Sequence, residues 1–95
     1  MSKRRGVTVI FNKAILHFGK DAQKIKCAEE LSELSSAILA GVNGRDNENN
    51  VCEEIADVEI MLQQMRIVFS TASINKWVER KLNRLDARLR EEGES

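Results

Sequence analysis

From Val7 onward, apolar residues return every three or four positions: Val7, Ile10, Phe11, Ala14, Ile15 and Phe18. That is the period of one helix face. The β-branched cluster Val7 to Ile10 would also open a strand, but the continuing spacing decides for a helix. Gly19 is its natural stop. Asp21 is a candidate N-cap for a second helix, whose stripe is Cys27, Leu31, Leu34 and Ile38. Glu30, Glu33 and Ala37 form the adjacent strip, with Lys26 and Gln23 one and two turns back. Ala40-Gly41 ends this run. Gly41 to Asn50 reads as a loop short enough to return the chain antiparallel, and Asn50 with Glu53 resembles a capping box.

A third helix is predicted from Val51 to Phe69. It carries two apolar strips, one of Ile55, Val58, Leu62 and Met65, the other of Ala56, Ile60 and Ile67. A helix apolar on two sides is central or is covered again by a second subunit. Gln63 and Gln64 interrupt the pattern, and Met61 and Met65 read as core filler. Ser70 to Ser73 offers hydroxyl N-caps for a fourth helix. Its stripe is Ile74, Val78, Leu82, Leu85 and Leu89, with Trp77, Lys81, Arg84 and Arg88 alongside.

The expected fold class is therefore all-α, a four-helix bundle. Ninety-five residues without proline make one domain over residues 1–95, with 1–6 and 91–95 as flexible tails. Fifteen basic residues balance fifteen acidic ones, which gives no support for a nucleic-acid or membrane-surface binder. Cys27 and Cys52 form no Cys-x-x-Cys pair and read as small buried hydrophobes rather than a disulfide or a zinc site. No apolar run reaches the roughly twenty residues of a membrane span, and no signal-peptide pattern follows the basic start. A cytoplasmic protein is expected.

The acids change the picture. Glu30 and Glu33 are three apart, as are Glu54 and Asp57, so each pair projects from one helix face. If the two helices are antiparallel neighbours, four carboxylates converge. Like charges so placed raise each other's pKa values, and a divalent cation is the simplest thing that holds them together. Taken singly, such acids are more often solvated helix faces. Their position beside the apolar stripes and their matched spacing favour a site. Oxygen-only ligands suit magnesium, calcium or manganese. A di-iron bundle needs Glu-x-x-His pairs, and the only histidine, His17, has no Glu three residues before it. Magnesium is usually shared between a few carboxylates and substrate phosphates.

Glu29-Glu30-x-x-Glu33, a spacer, and Glu54-x-x-Asp57 resemble the signature of the MazG-like all-α nucleoside triphosphate pyrophosphohydrolases. Gly19 before an acidic residue, Gln23, the words AEELSEL and EEIADVEIMLQQM, and KLNRLDARL near the end are similar too. The resemblance covers Ile15 to Leu89. It implies a helical bundle completed by homo-oligomerisation, as homodimer or homotetramer. It also implies magnesium-dependent cleavage of nucleoside triphosphates to monophosphate and pyrophosphate, with manganese a possible substitute. The implied metal ligands are Glu30, Glu33, Glu54 and Asp57. Glu29 and Glu53 flank them as candidate catalytic acids, with Glu29 the preferred water-activating base. A triphosphate also needs cations. Lys81 and Arg84 are the first candidates, Lys26 the next, and Gln23 matches a position near the nucleotide. The rival readings are a non-catalytic helical oligomerisation or adaptor module, and a hydrolase of another pyrophosphate-containing metabolite.

Overall fold

A computed structural model describes residues 3–93. Among them lie four helices and no strand: α1 (Val7–Phe18), α2 (Lys20–Val42), α3 (Glu48–Val68) and α4 (Thr71–Glu91). The expected strand alternative at Val7 to Ile10 is settled for helix. Gly19 alone joins α1 to α2, with φ 95° and ψ 151° and its N–H donating to Ile15 O. That backbone region is open essentially to glycine only. Asp21 lies inside the first turn of α2 instead of capping it; Gly19 is the N-cap.

The α2–α3 connection is shorter than its composition implies. α2 runs through Val42 and closes on a paired turn, Gly44 N–H to Gly41 O and Arg45 N–H to Ala40 O. This is the Schellman pattern, with Gly44 at φ 99° in the left-handed position. α3 then starts at Glu48, behind Asn47. Asn50 is therefore already helical, so the expected Asn50–Glu53 capping box does not form. Residues 1–2 and 94–95 of the expected tails lie outside the described residues. Residues 3–6 are non-helical, and α4 continues to Glu91.

α2 and α3 form an antiparallel pair. Gln23, near the start of α2, donates through Nε2 to Gln64 Oε1 near the end of α3, at 2.7 Å. At the other end Asn47 Nδ2 donates to Ala37 O at 3.0 Å. Around the first of these ties sit Cys27, Met61 and Met65, packed with Val68; Ile15, Ala37 and Val58 complete the buried apolar set. Met61 and Met65 fill the core as read from the sequence.

The inner face of α2 differs from expectation. Its buried residues are Gln23, Cys27, Glu30 and Ala37. Leu31 and Ile38, expected in the core, are each 44% exposed. α3 shows the same turn: Val58, Met61, Gln64 and Met65 are buried, whereas Ile55, Ile60, Leu62 and Ile67 are exposed. Gln64 is thus a core residue and no mere interruption. Small residues explain the choice. Cys27 and Ala37 let the two backbones approach, since interaxial distance follows side-chain size at the contact.

Ser70 caps α4, its Oγ accepting from Ser73 N–H at 3.1 Å. Arg66 donates to Asn75 Oδ1 at 2.7 Å, and Thr71 Oγ1 to Arg66 O at 3.2 Å, holding the junction with α3. Beyond it α4 buries no residue against the described chain.

Candidate metal centre

Midway along the α2–α3 pair, the acids meet. One carboxylate oxygen from each of Glu30, Glu33 and Glu54 lies within 4.8 Å of the other two. The residues come together because three of the four expected ligands sit on facing helix strips at matching heights. Glu30 is only 7% exposed, Glu54 is half-buried and Glu33 is exposed. Asp57, half-buried one turn past Glu54, stands beside the trio and not within it.

Glu30 Oε1 receives Lys26 Nζ at 3.0 Å, one turn back on α2. Its second oxygen, Oε2, is buried without a hydrogen-bond partner among the described residues, and so is Glu54 Oε2. Buried polar atoms are nearly always paired, so two orphaned carboxylate oxygens in one place need an explanation. Burial first, then the charges of Glu33, Asp57, Glu30 and Glu53, push the Glu54 carboxyl above its ordinary range. The hydrogen bond and charge of Glu30 hold the Lys26 ammonium above its own, with Glu29 and Glu33 adding to the effect. Glu29 and Glu53, both exposed, therefore act on the cluster electrostatically from its edge.

The donor set fits a hard divalent cation. It is all carboxylate oxygen, drawn from two helices, with two unpaired oxygens and only Lys26 set against three carboxylates. Glu30, Glu33 and Glu54 are the residues able to hold it, with Asp57 next in reach along α3.

The remaining expected residues are elsewhere. Gln23 is buried two turns from Glu30, and its amide is engaged by Gln64. Lys81 and Arg84 are exposed on α4; Lys81 Nζ stands 6.0 Å from the Trp77 ring centroid. Trp77 itself is 54% exposed, and the hollow of about 480 Å³ beside it is the open side of α4.

The sequence assigns Arg45 and Asn47 to a loop and Asn50 to a helix cap, with no part in a site. They line a hollow that shares Glu33 with the acids. The spacing 47, 50, 54 was the available signal, for it puts both amides on the Glu54 face. No family model, characterised protein or solved structure matches this chain.

Proposed function

We propose that this chain is a MazG-like pyrophosphohydrolase that splits (deoxy)nucleoside triphosphates between the α- and β-phosphates, using magnesium. One observation carries the reading: three carboxylates from two helices converge within 4.8 Å, and the most buried of them keeps an oxygen with no partner. In a merely solvated acidic face the carboxylates spread towards water. Here Glu30 faces inward with one oxygen on Lys26 and the other unpaired, and a buried polar atom without a partner is expensive.

Glu30, Glu33, Glu54 and Asp57 would hold the metal. A bound divalent cation supplies charge neutralisation at phosphate oxygens and lowers the pKa of water. The chain's own residues do the rest. Hydrolysis breaks one P–O bond of the α–β bridge, adds the water oxygen to phosphorus and releases nucleoside monophosphate and pyrophosphate. Glu29, exposed next to Glu30, takes the proton of the attacking water; Glu53 is its counterpart on α3. Lys26 already faces the carboxylates and stays protonated there, ready for a phosphate oxygen as a compact point charge. The functional unit is a homodimer or homotetramer, in which the basic α4 of another copy brings Lys81 and Arg84 to the substrate.

The decisive assay incubates all common NTPs and dNTPs with magnesium and measures pyrophosphate and monophosphate. Pyrophosphate is expected from at least one of them, and Glu33→Gln is expected to remove it while the far-UV helical signal stays. Release of orthophosphate alone rules the proposal out.

A further inference from the structure

The groove between α2 and α3 continues past the carboxylates towards the loop. On α2, Ala37 and Ala40 follow Glu30 and Glu33 on one helical face; on α3 and its N-cap, Asn50 and Asn47 precede Glu54 at the same spacing. Small side chains on one wall leave an open hollow of about 340 Å³ between the helices. Ser32, Ser36, Ala40, Arg45, Asn47 and Asn50 line it, and Glu33 belongs to its wall. From Glu33 to Ala40 it extends about 10 Å along the helix.

Two features make this a built site. Asn47 is fixed through its hydrogen bond to Ala37 O. Its Oδ1 lies where a Cβ on residue 41 would come within 3.0 Å, so glycine at 41 admits the amide. The Arg45 backbone is held by the Schellman turn, its N–H on Ala40 O, and its exposed side chain stands at the rim of the hollow. The groove also has a chemical direction. Lys26, against Glu30, lies on one side of the carboxylates. Hydroxyls, amides and one planar guanidinium lie on the other.

Resting on the pyrophosphohydrolase reading, we propose that this hollow takes the sugar and base of the nucleotide, with Arg45, Asn47 and Asn50 as its base-contacting residues. The phosphates then run from the carboxylates towards Lys26. The Asn50 amide offers a donor and an acceptor to a base edge, Asn47 keeps its second N–H beside the bond to Ala37 O, and a guanidinium plane stacks on a heterocycle or hydrogen-bonds it. A phosphate chain gains less here, because one guanidinium stands against several negative charges with Glu33 adjoining.

The test uses the full chain. Titrating the metal-free protein with deoxynucleoside monophosphates of the four bases is expected to shift the side-chain amide NMR signals of Asn47 and Asn50. Inorganic pyrophosphate leaves them in place. Ser36→Trp, which fills the hollow from an exposed helical position, and Arg45→Ala, on the exposed turn, each raise KM for the hydrolysed nucleotide by about tenfold or more. Their magnesium-binding midpoints stay at the wild-type value. Wild-type KM in both variants, or amide signals unmoved by every monophosphate, overturns the assignment while leaving the metal centre and its reaction standing. A wild-type chain that neither binds magnesium nor hydrolyses any nucleotide overturns the parent reading, and this one with it.

Discussion

Glu54 is the residue where the conflict between fold and chemistry is sharpest. Its carboxyl titrates above the ordinary range because it is desolvated and faces Glu33, Asp57, Glu30 and Glu53. The sign of the pH effect follows. A carboxyl with a raised folded-state pKa binds its proton more tightly folded than unfolded, so its ionisation subtracts stability. The loss is absent below the unfolded pKa of about 4.3 and complete above the raised folded value. In metal-free protein at pH 7, Glu54→Gln should therefore raise Tm, and the gain over wild type should vanish as pH falls to about 4. Magnesium should raise the wild-type Tm, by up to about 2.7 kcal/mol of added stability at a hundred times Kd, and should act far less on the variant. Thermal melts over pH, with and without the ion, check both. A variant no more stable than wild type at pH 7 shows that the acids do not repel as this geometry requires.

At the scale of elements, the α2–α3 pair is pinned by the buried amide bridge between Gln23 and Gln64. Truncating one partner strands the other, so Gln64→Ala should destabilise by about 1–3 kcal/mol in urea unfolding. Replacing both by leucine should be close to neutral, because no polar group is then left unpaired. Equal losses in the single and double variants would show that volume, not hydrogen bonding, sets this contact. The four helices were legible in the sequence because their apolar spacing is regular and proline is absent. Their ends were less so: Asn50 looked like a cap, but the Schellman turn at Gly44 lets α3 begin earlier, at Glu48. Which face turns inward was misread for a physical reason. Of the expected stripe Cys27 is buried, but Leu31 and Ile38 are not: close approach of two helices selects the small Cys27 and Ala37 and carries Glu30 inside with them. The meeting of Glu30, Glu33 and Glu54 was legible from their spacing. The hollow at Arg45, Asn47 and Asn50 was not, because its shape depends on where the turn ends.

For the whole molecule, one chain leaves its hydrophobic surface unfinished. The radius of gyration is 17.0 Å, against about 12 Å for a compact domain of this length. α4 accounts for much of the difference: Trp77, Val78, Leu82 and Leu85 are all at least 43% exposed, and so are Leu31, Ile38 and Leu39 on α2. An isolated helix of this kind is marginal in water, since helices in proteins owe most of their stability to packing an apolar face. Charge points to a cover of the chain's own kind. α3 carries five acids and one base, whereas α4 carries six bases and three acids, so α4 of one copy complements the acidic pair of another. The chain should therefore sediment as a dimer or tetramer, and its Tm should rise with protein concentration. Leu82→Glu with Leu85→Glu should yield monomer. In hydrogen exchange the α4 amides should be protected in the wild-type oligomer and exchange rapidly in this variant, while α2 and α3 amides around Cys27 and Met61 slow exchange in both. A wild-type chain that stays monomeric at high concentration with an unprotected α4 would remove the source of Lys81 and Arg84. Arg45 and Lys26 would then be the cations left at the groove.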